Sequence, residues 1–184
     1  MVLVFLAGIA ALTYAWWSRP IAAGDAAVAD HQYDGALSDY AAAEARFDKV
    51  PVTKQLFTAE YNRLIASQIW LLYRLGRYDE TIEKAERAPE GAMPHFLAAC
   101  ALFHEGDNEK KPDARQQWVN RAQEEMRRAL DATPQDWDTK YDFELMTRLQ
   151  KTLLSKPQAL SIQQMHLLRP QPFNPESKPT KRVG

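Results

Sequence analysis

The first eighteen residues, Met1 to Ser18, carry no charged side chain, and all 23 Lys and Arg and all 24 Asp and Glu of the 184-residue chain lie beyond them. An uncharged run of this length can leave water only by entering a bilayer or a protein core. As a helix, Met1 to Trp17 would rise about 26 Å, close to the roughly 30 Å of a bilayer's hydrocarbon layer. Tyr14, Trp16 and Trp17 stand at its end as interfacial aromatics, followed by Arg19 as a polar anchor and Pro20 as a break. The expectation is a single transmembrane anchor over residues 1–19, held by the lipid bilayer. A cleavable signal peptide is the rival, with Ala27-Val28-Ala29 as the processing site, but no basic segment precedes the apolar run and that site lies about ten residues past its end. Arg19 alone favours a cytoplasmic C-terminal side, and the charge rule leaves the orientation open.

Beyond the anchor the composition is helix-forming, with 27 Ala and 19 Leu against 7 Val and 6 Ile, and only 7 Gly. The fold class is therefore all-α. A net charge of −1 excludes a strongly basic nucleic-acid binder. One cysteine, Cys100, excludes an internal disulfide, and its apolar neighbours Phe96, Leu97, Leu102 and Phe103 mark it as a core thiol.

Eleven prolines punctuate the sequence as helix boundaries. Between two of them, Lys54 to Leu75 repeats apolar residues at three- and four-residue steps (Phe57, Tyr61, Leu64, Ile65, Ile69, Leu72), the stripe of one amphipathic helix, and Gly76 suits its C-terminal stop. Gly76-Arg77-Tyr78-Asp79 then turns the chain into a second amphipathic helix that ends before Pro89. This helical hairpin is similar to the 34-residue tetratricopeptide unit, in which small residues sit where two helices touch. Gly24, Tyr33, Ala36 and Tyr40 fall at the corresponding positions of an earlier hairpin, and Ala122, Met126, Ala129 and Pro134 at those of a later one. Tyr33 and Tyr78 are 45 residues apart, so about 11 extra residues must be absorbed near Val50 to Thr53 or in the helix that follows. The polar run His104 to Asp113 reads as a second insertion, a loop between helices at about 94–103 and 113–131. A closing helix starts at an Asp136 cap, with Trp137 packed on its neighbour. The chain thus divides into the anchor, a solenoid of hairpins over residues 20–155, and a largely irregular, proline-rich extension over residues 156–184.

The N-terminal anchor, the degenerate hairpins, the segment Tyr33-Asp34-Gly35-Ala36-Leu37-Ser38-Asp39-Tyr40 and the run Pro134 to Glu144 together resemble the small membrane-anchored proteins of the MxaK type. Those accompany MoxR-type ATPases and von Willebrand A-domain proteins in bacterial methanol-oxidation operons, and are implicated in maturing a calcium- and quinone-dependent methanol dehydrogenase. The resemblance covers about residues 1–154. It implies a bacterial inner-membrane protein with a single span and its repeat domain in the periplasm, serving as an accessory factor for a quinoprotein dehydrogenase. A permanent subunit of a larger energy-transducing membrane complex is the alternative, for which Ala7, Gly8, Ala10, Ala11 and Ala15 would allow close helix packing.

Catalytic chemistry lacks a sequence basis. His95 and His104 fall at opposite ends of one short helix, about 13 Å apart, too far to share a metal. Asp107, Asn108, Glu109 and Asp113 lack the alternation of a calcium loop and read as a solvated turn. No phosphate loop or nucleophile motif is present, so the reading is of a protein that is not an enzyme, with no cofactor, no metal, no small-molecule substrate and no nucleic acid. Its partners are expected to be proteins in or at the membrane. The surface expected to meet them is the inner groove of the solenoid, where Asn62, Arg63, Gln68, Tyr73 and Arg74 would offer amide, phenol and guanidinium groups to an extended peptide.

Overall fold

A computed structural model describes residues 2–154; the expected C-terminal extension, 156–184, lies outside them. Eight helices follow one another, α1 (Val2–Ala29), α2 (Tyr33–Lys49), α3 (Val52–Leu56), α4 (Thr58–Arg74), α5 (Tyr78–Glu86), α6 (Ala92–Asn108), α7 (Pro112–Ala132) and α8 (Trp137–Leu154). There is no strand among the described residues. The protein is all-α.

Consecutive helices pair as antiparallel hairpins, α1 with α2, α4 with α5, and α6 with α7, and α8 closes the stack against α7. The crossings are made where small residues allow them. Gly24 lies under the ring of Tyr40, and a Cβ there would come within 2.5 Å of the ring. Ala36, Ala43, Ala122 and Ala129 are fully buried, with Phe47 and Met126 filling the spaces beside them. Ala122 and Met126 share a core cluster with Ile82, Leu102 and Met146, which binds α7 to the helices before and after it.

The two inter-helix turns at Tyr33 and Tyr78 are copies of one motif. At Gly76 (φ +72°) the Arg77 N–H reaches the Leu72 carbonyl at 2.9 Å and the Gly76 N–H reaches that of Tyr73 at 3.0 Å. At His31 (φ +59°) the Gln32 N–H reaches Ala27 at 2.8 Å and the His31 N–H reaches Val28 at 3.0 Å. Both are Schellman stops, and His31 adopts the left-handed conformation that glycine takes in the second copy.

Three boundaries and one packing contact differ from the sequence reading. Pro20 does not break the first helix, since α1 runs without interruption from Val2 to Ala29 with Pro20 inside it. Proline has no N–H for the carbonyl four residues back, that of Trp16. Arg46 of α2 supplies the missing donor: its Nη1 hydrogen-bonds the Trp16 carbonyl, lies 3.3 Å from that of Trp17, and its guanidinium covers the Trp16 ring at 4.4 Å. The expected single helix over Lys54 to Leu75 is two, because Phe57 (φ −120°, ψ 48°) leaves the helical region and lies beside Tyr14, with ring centroids 6.3 Å apart. The Thr58 hydroxyl takes up the carbonyls of Lys54 and Gln55 at the break. The expected loop from His104 is helical as far as Asn108, since Gly106 is buried against Trp118 and Val119 of α7 and lets the two helices stay in contact one turn longer. Trp137 does not pack on a neighbour: it is 78 % exposed, with Lys140 over its ring at 4.7 Å.

Among the described residues no helix is long and apolar enough to cross a membrane. The side chains of the apolar opening run lie mostly outside those residues, and of the first thirteen only Phe5 and Gly8 are described, both exposed.

Candidate functional site

The large apolar side chains left in contact with solvent fall mainly into two groups. One lies along α8, where Trp137, Tyr141, Leu145 and Leu149 recur every four residues. The step of four advances a helix by slightly more than one turn, so the four form one slowly winding stripe.

Its last two members, Leu145 and Leu149, border an open groove of about 250 Å³. Leu145, Met146, Leu149 and Asp142 of α8 line it opposite Cys100, Phe103 and His104 of α6, with Tyr73 of α4 at one end and Met126 of α7 on the floor. Tyr78 stacks parallel on His104 at 4.7 Å, and Tyr73 leans on both rings, 5.6 Å from Tyr78 and 6.0 Å from His104. These three rings make a rigid aromatic wall. Burial, together with the Asp142 carboxylate, pushes the Cys100 thiol up to about 11, and burial also raises the Tyr73 phenol. Cys100 therefore remains a neutral thiol at physiological pH, an apolar lining atom rather than a nucleophile. The arrangement can accept an apolar side chain or helix face.

The residues expected to form the binding surface are only partly brought together. Tyr73 lines the groove. Gln68 does not: it is buried to 3 % exposure, with no hydrogen-bond partner for its Nε2 among the described residues. Arg63 is committed to Asp25 of α1, with both guanidinium nitrogens 3.1–3.2 Å from its carboxylate oxygens. Arg74 is exposed and lies over Tyr33 and Trp70 at 5.9 and 5.8 Å, while Asn62 is half-buried on α4. The Asp25 carboxylate also accepts the Tyr40 hydroxyl at 2.6 Å. Burial raises the Asp25 carboxyl, but Tyr40 and Arg63 outweigh it and hold it below the ordinary value, whereas burial and then Asp25 push the Tyr40 phenol up to about 12. This triad locks α1, α2 and α4 together, so Arg63 is a structural residue.

The two helix-end histidines are likewise engaged in packing. His95 pairs with Glu125 of α7 at 2.7 Å, and His104 belongs to the aromatic wall. Glu109 accepts the Lys111 N–H at 2.9 Å, which holds its carboxyl below the ordinary value.

The groove residues on α8 carried a sequence signal, the four-residue step itself. Those on α6 did not, because Phe103 and His104 point into a groove that exists only once α8 has docked.

The fold and groove define a protein of stacked helical hairpins with an open apolar cleft. No known protein-family model matches the sequence, and no curated protein matches it.

Proposed function

We propose that the chain is a membrane-anchored, non-catalytic scaffold of tetratricopeptide-like hairpins, attached to the bacterial inner membrane through residues 1–19. Its helical domain stands in the periplasm, and its groove between α6 and α8 holds an apolar peptide segment of a client protein. Its role is that of an accessory or maturation factor for a quinoprotein dehydrogenase. The observation that carries the binding role is the exposure of Leu145 and Leu149, 42 % and 41 %, beside a rigid aromatic wall. Apolar side chains left in water next to a preformed concave surface are the mark of a site awaiting a partner. Anchoring would raise the effective concentration of the groove toward membrane-bound clients without any new contact.

The test is a deletion strain complemented with the intact protein or with Leu145→Glu/Leu149→Glu, which leaves the anchor and the core untouched. The deletion strain is expected to make normal amounts of the quinoprotein polypeptide in inactive form. Activity returns with the wild-type chain and fails to return with the charged variant. Full enzyme activity in the deletion strain would overturn the maturation role. Full rescue by the charged variant would overturn the groove.

A further inference from the structure

The second group of exposed apolar residues lies around the end of α2 and α3, and it includes a helix that buries none of its residues in the protein. Helix α3 has no buried residue, and its apolar side chains face outward, Val52 at 55 % and Leu56 at 70 % exposure, with Val50 beside them at 42 %. These residues fall within the stretch that lengthens the repeat between Tyr33 and Tyr78, so the hairpin architecture does not require them.

Their position is set by aromatic contacts. Phe57, which ends α3, meets Tyr14, and Phe47, near the end of α2, meets Trp17 edge-on at 5.4 Å and Tyr61 at 5.2 Å. The short helix is thereby held beside the stretch of α1 that carries Tyr14 and Trp16, themselves 54 % and 59 % exposed. The charges at this level are mostly positive: Arg19, Arg46, Lys49 and Lys54, against Asp48 and Glu60. Asp48 is paired with Lys54 at 2.7 Å, and Lys54 also covers the Tyr61 ring at 4.8 Å. Exposed aliphatic side chains flanked by Lys and Arg, at the height of Trp and Tyr, match the chemistry of the boundary between lipid headgroups and acyl chains.

We infer that α3 and its flanks are a second lipid contact, a foot that lies in the headgroup layer of an anionic bilayer beside the point where α1 enters it. The inference rests on the proposed membrane anchoring of α1. Val50, Val52 and Leu56 enter the interface, while the exposed Lys49 and Arg19 meet lipid phosphates.

The experiment uses the full chain, with Cys100 replaced by Ala, reconstituted in phosphatidylcholine and phosphatidylglycerol vesicles. A polarity-sensitive fluorophore is placed in turn on Leu56→Cys, Val52→Cys, Gly8→Cys and Asp34→Cys. Gly8 has open space around its Cβ position, and Asp34 is an exposed residue at the far end of α2. The foot predicts blue-shifted emission at positions 52 and 56 with quenching by headgroup-level nitroxide lipids, quenching at position 8 by deep nitroxides, and neither effect at position 34. Quenching at position 8 with aqueous emission at 52 and 56 would overturn the foot and leave the anchor standing. Aqueous emission at position 8, with the protein free of vesicles, would overturn the anchor and the foot together. A blue shift at 52 and 56 that follows protein concentration and not lipid would assign the patch to a second copy of the chain, and overturn the lipid contact.

Discussion

The sharpest test of how this chain passes from its apolar run into its folded domain is to remove Arg46. Proline inside a helix costs about 3 kcal/mol, from the lost hydrogen bond and the clash with the preceding turn. Arg46 offsets part of that by donating to the Trp16 carbonyl and stacking on the Trp16 ring. A hydrogen bond from a charged donor contributes about 1.5–3 kcal/mol and an exposed cation–π contact about 0.5–1 kcal/mol. Arg46 is half-exposed, so the lower ends apply, and Arg46→Ala is expected to destabilise the domain by about 2 kcal/mol. In a Pro20→Ala background the backbone N–H restored at that position can bond the Trp16 carbonyl itself. There the same Arg46→Ala change removes the stacking and the longer contact to the Trp17 carbonyl, and is expected to cost about 1 kcal/mol. Urea unfolding of the four proteins in detergent, followed by helical circular dichroism, gives the cycle. An equal cost of Arg46→Ala in both backgrounds would refute the idea that Arg46 stands in for the proline's missing donor.

Three further outcomes are expected. Gly24→Leu drives a branched side chain into the Tyr40 ring and should destabilise by about 1–3 kcal/mol in the same assay; no loss would mean that α1 and α2 separate freely. His31→Gly relieves a left-handed residue and should stabilise by about 0.5 kcal/mol once glycine's greater unfolded-state entropy is counted, whereas lower stability would show that the His31–Tyr33 contact outweighs the backbone. Because the folded Asp25 carboxyl lies below its unfolded value, its contribution is present above about pH 4 and fades as pH falls through the folded value. Tyr40, raised to about 12, contributes fully below pH 10 and loses its contribution as pH climbs from 10 through 12. Solvent screening at the half-exposed Asp25–Arg63 pair keeps the acid loss to about 0.5 kcal/mol or less, and Asp25→Asn should abolish it while lowering the Tyr40 titration only in part, since burial still raises it; an unchanged acid limb or tyrosine titration would remove Asp25 from the cluster.

The hairpins were legible because the features that make them are local. Gly24, Ala36, Ala43, Ala122 and Ala129 announce close crossings by their size, and Gly76-Arg77-Tyr78-Asp79 states its turn in four residues. The first copy of that turn was placed through Tyr33, but its left-handed stop at His31 was not read, because no glycine marks it. What remained illegible depended on distant partners. Pro20 reads as a stop until Arg46, far along the chain, supplies a donor. Gly106 reads as part of a loop until Trp118 and Val119 close against it. The same holds for the binding surface. Gln68 and Arg63 share the polar character of an exposed helix face, but the packing of the first two hairpins buries one and pairs the other with Asp25. The groove fell instead to residues on α6 and α8, where the four-residue step of Trp137, Tyr141, Leu145 and Leu149 went unread in the sequence.

The unbroken course of α1 has a mechanical consequence for a chain anchored in this way. No swivel separates the apolar run from the first hairpin, so under the proposed anchoring the heading of the cleft relative to the faces of the embedded segment is set by the rotation of a single rod. Adding one residue ahead of Tyr14 would turn that heading by about 100°, and adding a full turn would nearly restore it. Under the proposed anchoring, a partner that grips one face of the embedded segment would meet the cleft at one fixed angle.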